Sequence, residues 1–257
     1  MFTIENLRFG YRKEKDVLKG LNLSMETGRI QGFVGLNGTG KTTLLNLIYR
    51  FLRPSEGRIR YHEAPLLRKD VSYLEAENYF YPYMTGREYL NLFPAGQAGF
   101  DLDSWLRLFS LPLDDITENY STGMRKKLAL LAALKPDKPV LILDEPFNGL
   151  DMESSHLLAM ILRQLRAAGK TVLITSHIYE SLTGCCDFIH HLSDGVIARS
   201  YAREEFSVLQ GELQSAMENR FGNLLNQCLP PQTGAPSSMR VERNLHTGEN
   251  LFPPVCK

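Results

Sequence analysis

Nine residues, GLNGTGKTT at Gly35–Thr43, constrain this chain of 257 residues more than any other stretch. The preceding RIQGFVG is short and apolar enough for a buried strand. The following KTTLLNLIYRFL, residues 41–52, reads as a helix ended by Pro54. Between them, Gly35, Gly38 and Gly40 let successive backbone N–H groups converge on one point, and a lysine and two threonines follow. The pattern Gly-x4-Gly-Lys-[Ser/Thr], set between a strand and a helix, is a cradle for phosphate. Such a junction belongs to a largely parallel sheet that takes ligands at the carboxyl ends of its strands.

The rest of the chain agrees with an α/β layout. FTIENLRFGY and VLKGLNLSME, joined by a charged turn, read as β structure ahead of the loop, and SEGRIRYH and VSYL as later strands. From about Glu75 to Lys135 the strand signal disappears and helical pieces take over, GREYLNLF and DLDSWLRLFSL among them. VLILD and TVLITSH are continuous apolar runs of strands buried on both faces. Between them SSHLLAMILRQLRAAG has a helical apolar face capped by Gly169. FIHHL and VIARS flank the hairpin signal Ser193-Asp194-Gly195, and a last helix is expected from Arg203 to about Leu229. From PPQTGAPSS onward the tail has no periodicity and reads as irregular or disordered.

Bulk properties narrow the classes. Lys+Arg and Asp+Glu both number 29, so no global charge favours nucleic acid or an anionic membrane surface. The four cysteines, Cys185, Cys186, Cys228 and Cys256, fit neither a zinc spacing nor a disulfide framework, which suits a reducing compartment. The N-terminus lacks the apolar core of a signal peptide, and no apolar run is long enough to span a bilayer, so a membrane role would come through a partner. Adjacent Cys185-Cys186 and His190-His191 do not have zinc-ligand spacing.

Beside the phosphate loop, three further stretches carry chemistry. In GLNGTGKTT, the loop residues Gly35, Leu36, Asn37, Gly38, Thr39, Gly40 and Thr43 would surround phosphate, Lys41 would reach the outer phosphates, and Thr42 would ligate Mg²⁺. In LILDEP, Asp144 at a strand end would hold Mg²⁺ and Glu145 would polarise an attacking water. In SHIYE, His177 ends the next strand, on the edge where a terminal phosphate would lie. YSTGMRKKLAL sets Ser121 and Gly123 at a helix start, where a hydroxyl and free N–H groups suit an anion. The triplet Arg125, Lys126 and Lys127 that follows reads as a solvated helix face.

This ordered set resembles the ATP-binding subunit of an ABC transporter, of the drug- and bacteriocin-export type. YSTGM resembles that family's signature, FNGLD its D-loop, and Tyr11 the aromatic that stacks on adenine. The resemblance covers about residues 1 to 205 and implies a P-loop NTPase core with a mostly parallel sheet, an N-terminal antiparallel β subdomain and a short helical signature subdomain at about 76–135. The ATP-binding domain is expected over 1–220 and a C-terminal extension over 221–257. The implied activity is ATP hydrolysis with ATP and Mg²⁺, powering export through a separate transmembrane permease, from the inner face of the cell membrane. The family implies head-to-tail pairing, as homodimer or heterodimer, in which Ser121 and Gly123 of one copy close over the phosphate held by the other's Lys41, with Asp151 at the seam.

Two departures stand out. Thr122 and Met124 replace a glycine and a glutamine of the signature. In VSYLEAENYFYP the family's glutamine position aligns with Ala76, leaving Glu75 or Glu77 as substitutes, and slower or less coupled hydrolysis is expected. Tyr79, Phe80, Tyr81 and Tyr83 are candidates for permease contact, with local core packing as the equal alternative. Two other functions stay open: a soluble ATPase that remodels a cytosolic complex, and a regulatory module that binds ATP and scarcely hydrolyses it.

Overall fold

A computed structural model describes residues 1–12, 15–96 and 99–228, with backbone alone for 222–227. Cys256 and the rest of the tail from PPQTGAPSS onward lie outside the described residues. The chain divides into two units, Met1–Gly211 and Glu212–Lys257.

The first unit opens with β1 (Phe2–Phe9) and β2 (Leu18–Met25), followed by β3 (Ile30–Val34), α1 (Lys41–Ile48), β4 (Glu56–Tyr61), the two-residue β5 (Ala64–Pro65) and β6 (Val71–Leu74). Next come α2 (Gly86–Asn91), α3 (Leu102–Phe109) and α4 (Thr122–Leu134). β7 (Val140–Leu143), α5 (Met152–Ala167), β8 (Thr171–Thr175), α6 (Tyr179–Thr183), β9 (Phe188–Ser193) and β10 (Val196–Ala202) follow, and α7 covers Phe206–Cys228.

Two sheets result. The first is antiparallel, ordered β2-β1-β4-β5; the second runs β10-β9-β3-β8-β7-β6. In the second sheet β6, β7, β8, β3 and β9 are parallel and only β10 is antiparallel. The strands β3, β7 and β8 are buried at every position, as their unbroken apolar runs require. The β9–β10 hairpin turns at Asp194 and Gly195, both with positive φ (48° and 79°), the geometry of a type I′ turn.

The main core brings side chains of the first sheet, Phe2, Ile4, Leu7 and Leu21, together with Leu44, Leu45, Leu47 and Ile48 of α1 and Phe33, Ile142 and Leu173 of the second sheet. Six of the eight residues of α1 are therefore buried, with Leu44, Leu45, Leu47 and Ile48 forming its apolar face. Burial of each of its leucines contributes roughly 1.5–3 kcal/mol. This packing fixes the helix whose N-terminus opens on the phosphate loop.

The expected helix over 41–52 is too long. It ends at Ile48, well before Pro54. Arg50 takes the left-handed conformation (φ 63°), and its N–H bonds Leu47 O while Phe51 N–H bonds Asn46 O. Those two bonds satisfy the last carbonyls and stop the helix without proline.

The helical segment between β6 and β7 is pinned by side-chain caps. Thr85 and Glu88 form a reciprocal capping box at α2, and Asp101 caps α3 through Ser104 N. Tyr120, just before α4, is buried and donates its hydroxyl to Pro112 O at 2.5 Å. Among the described residues no helix is long and apolar enough to cross a membrane.

Candidate functional site

The loop after β3 is shaped by close approach. A Cβ at Gly35 would lie 2.4 Å from Leu192 O, so only glycine fits there. Gly40 caps α1 with φ 104°, a left-handed geometry that favours glycine. α1 has no side-chain cap and no acidic residue in its first turn, so its first N–H groups and the positive end of its dipole stay available to an anion. Within the loop the Thr39 hydroxyl donates to Leu36 O at 2.9 Å. Lys41 folds back and donates to Gly35 O at 2.7 Å and Leu36 O at 3.3 Å. Burial lowers its pKa, and Glu145 and Asp144 act in the opposite sense.

The ends of β7 and β8 face this loop. Asp144, 1% exposed, accepts the Thr175 hydroxyl at 2.5 Å on Oδ1, and Tyr73 stands 3.5 Å from Oδ2. Desolvation and the Asp144 charge raise the Tyr73 pKa, so the phenol stays protonated. Glu145 has φ 50°, a left-handed conformation that costs a non-glycine residue about 1 kcal/mol or more. Two bonds hold it: its N–H donates to Thr175 Oγ1 at 3.0 Å, and its carbonyl accepts Lys126 Nζ at 3.0 Å. The turn aims its carboxylate at His177, whose Nδ1 lies 2.9 Å and whose N–H lies 3.2 Å from Oε2.

These groups surround an open cavity of ≈ 480 Å³ lined by Tyr11, Asn37, Lys41, Thr42, Glu145 and His177 among others, with Val17 and Asn148 completing the wall. Tyr11 is an exposed rim residue; its hydroxyl is 3.3 Å from Thr43 Oγ1 and its ring packs edge-on against Phe9. Gly38, Gly40 and Thr43 also line the cavity, while Asp144 lies buried close by, within reach of the Lys41 charge.

Ser121, Gly123 and Asp151 do not line this cavity. Ser121 is exposed and caps α4, accepting Met124 N–H at 3.2 Å. Asp151 is exposed and caps α5 through Ser154 N–H at 2.7 Å; hydrogen bonds from Ser154 hold its carboxyl below the usual range. The two cap oxygens sit at helix starts, and the Ser121 hydroxyl proton is free to donate.

The basic triplet is not a solvated face. Arg125 is half-buried and donates to Thr117 O and Glu118 O at 3.1 and 2.9 Å, and Lys126 reaches the Glu145 carbonyl. Burial lowers the Lys126 pKa, against the pull of Glu145 and Asp144. Thr175 and Lys126 brace the site without having been foreseen from the sequence; Tyr73 beside Asp144 and the wall residues Val17 and Asn148 were not foreseen either. The signal for Thr175 was a polar residue closing an apolar strand opposite LILDEP; Lys126 carried none that separates it from its basic neighbours.

Ala76 is half-buried and offers no polar side-chain atom, while Glu75 and Glu77 are exposed. Tyr79, Tyr81 and Tyr83 are 69%, 53% and 83% exposed, whereas Phe80 packs on Tyr89 at 4.6 Å. Core packing therefore accounts for Phe80 only. His190 is buried between Gln31 Oε1 (3.0 Å) and Ser200 Oγ (2.7 Å), and the described residues contain no cluster of three or more His, Cys, Asp or Glu able to hold a metal.

Comparison with known proteins places this geometry. The family model described as "ABC transporter" matches residues 18–148. An ABC transporter ATP-binding protein of Nostoc sp. is 35% identical over 202 residues, 73% of this chain and 60% of that relative. Nod factor export ATP-binding protein I of Burkholderia lata is 34% identical over 265 residues, 95% of this chain and 82% of the relative. The solved structure of an ATP binding subunit of an ABC transporter superposes with TM-score 0.73 and 26% identity, covering 80% of this chain and 93% of that one. An ATP-binding cassette solved as a dimer, in a post-hydrolysis state bound to ADP and Pi, has the same fold at TM-score 0.70 and 22% identity, covering 79% of this chain and 99% of that one.

Proposed function

The chain belongs to the ABC transporter family as an ATP-binding subunit, and from that premise we propose that it hydrolyses ATP in the Lys41 cavity to drive export through a separate membrane permease. One observation carries the site assignment: a phosphate loop with Lys41 and Thr42 shares its cavity with a Glu145–His177 pair 2.9 Å apart.

Each residue then has a task. Lys41 exchanges the Gly35 and Leu36 carbonyls for outer phosphate oxygens. The N–H groups of residues 35–43 hold the inner phosphate. Glu145 accepts a hydrogen bond from the attacking water and orients it, and His177 shares the Oε2 atom and faces the terminal phosphate. Tyr11 offers its ring to the base. Thr42 and Asp144 supply only oxygen donors, a set that fits Mg²⁺, which keeps waters and binds through few protein ligands plus phosphates. When bound, the ion would neutralise phosphate charge. Positioning and charge do most of the work in phosphoryl transfer.

The exposed Ser121 and Asp151 and the half-buried Gly123 belong, in this reading, to the facing copy's site. The chain pairs head to tail, with itself or with a second ATP-binding subunit. The exposed Tyr79, Tyr81 and Tyr83 offer the permease contact in this reading, and docking on the permease is what would hold the chain at the cytoplasmic face of the membrane. The export direction is supported by the Nod factor export relative and by the YSTGM signature.

The test is phosphate release. Glu145→Gln should abolish it while ATP binding persists, and Ala76→Gln should raise the rate, basal or permease-stimulated. Unchanged release in Glu145→Gln would refute the site; unchanged rates in Ala76→Gln would refute the role of Ala76.

A further inference from the structure

The chain is neutral overall, with 29 basic and 29 acidic residues, but its arginines are unevenly placed. A groove of ≈ 430 Å³ at the far end of α1 is lined by Arg50, Arg53, Arg58 and Arg60, with Leu52, Pro54 and Pro65 among its apolar lining. Arg50 is the left-handed residue that stops α1, Arg53 follows it in the loop, and Arg58 and Arg60 occupy alternate positions of β4, hence one face of that strand. The eight residues of α1 rise about 12 Å from the phosphate loop to this end. The groove and the ATP cavity share no lining residue.

Counter-charges do not balance the four guanidinium groups. Arg58 pairs with Glu5 at 2.6 Å. Glu56, the one carboxylate of β4, is held by Arg8 at 3.4 Å. Arg50 spends its Nε on Leu66 O and keeps its terminal nitrogens. Among the described residues neither the Arg53 nor the Arg60 side chain makes a hydrogen bond or ion pair. A cation at Arg50 suits a helix C-terminus, but that reason does not extend to Arg58 and Arg60 on the strand. Gathering like charges costs free energy that an anion relieves, and arginine forks match phosphate oxygens in pairs. The apolar lining beside those arginines accommodates the uncharged part of a phosphate ester.

We propose that this groove is a second anion site, built for a phosphate or diphosphate group, either on a free solute or displayed by a phospholipid headgroup. It is separate from the ATP site and held by Arg50, Arg53 and Arg60, with Arg58 kept in reserve by Glu5.

The experiment uses the full chain with its ATP site filled by one equivalent of Mg·ADP, which leaves no excess diphosphate ester to compete for the groove. Inorganic diphosphate is titrated calorimetrically, and flotation is measured with vesicles of phosphatidylglycerol in phosphatidylcholine against phosphatidylcholine alone. At least one probe should bind. Arg53→Gln/Arg60→Gln should weaken that binding by about tenfold or more, as expected for two lost charge-assisted contacts, with ADP affinity unchanged. Glu5→Gln, which frees Arg58, should tighten it by about twofold to fivefold, the range for one exposed charge pair. Diphosphate binding alone identifies a soluble phosphate compound, and vesicle binding alone a headgroup. Binding of neither probe overturns the proposal, as does binding untouched by the arginine pair or weakened by Glu5→Gln.

Discussion

Thr175→Val tests how the fold holds its acidic strand end. The Thr175 hydroxyl donates to Asp144 Oδ1 at 2.5 Å and accepts the Glu145 N–H at 3.0 Å. Thr175 is fully buried and Asp144 nearly so. Valine keeps the shape and removes only the hydroxyl, so no cavity opens. The variant loses a hydrogen bond to a charged carboxylate, about 1.5–3 kcal/mol, and leaves a backbone donor without its acceptor, about 1–3 kcal/mol. The sum, roughly 2.5–6 kcal/mol, is a large share of a typical domain's stability of about 5–15 kcal/mol. Urea denaturation without nucleotide measures it, and phosphate release follows the effect on the left-handed Glu145 turn. Thr175→Ser keeps the hydroxyl and should cost about 1 kcal/mol through its lost methyl. A valine variant that loses less than about 1 kcal/mol, or less than the serine variant, would refute the argument.

Two further perturbations probe the interior. Lys126→Met keeps the aliphatic stem but removes the bond to the Glu145 carbonyl; phosphate release should fall by about tenfold with ATP affinity nearly unchanged, and Lys126→Arg should recover part of the rate. Equal loss of ATP affinity would contradict a positioning role. His190 is pushed down from 6.5 to about 4 by burial. Its folded-state pKa lies below the unfolded value, so the stability tied to its neutral form is fully present above about pH 6.5 and is lost as pH falls toward 4. Denaturation midpoints between pH 7 and pH 4 should decline less steeply in His190→Gln than in the parent chain.

Much of this was legible in the sequence because the chemistry is local there. A strand, a glycine turn and a helix start occupy consecutive residues at Gly35–Thr43, so the phosphate loop needed no knowledge of the tertiary fold. The buried strands β7 and β8 announced themselves by unbroken apolar runs. The end of α1 was not legible, because a left-handed Arg50 stopped the helix where glycine would have been the usual signal. Nor was the bracing of Glu145, since Thr175 and Lys126 come to it from residues 30 and 19 positions away. The arginine groove escaped for the same reason: Arg50 and Arg53 meet Arg58 and Arg60 only after β4 pairs with β1 and lies beside α1.

The most direct measurement of the central claim is the mass of Glu145→Gln by light scattering, with and without Mg·ATP, and again with Ser121→Arg added. If Ser121 of one copy completes the site held by Lys41 of another, Mg·ATP should double the mass of the first protein and leave the second monomeric. A mass that ignores Mg·ATP, or an ATP-dependent dimer that survives Ser121→Arg, would contradict it.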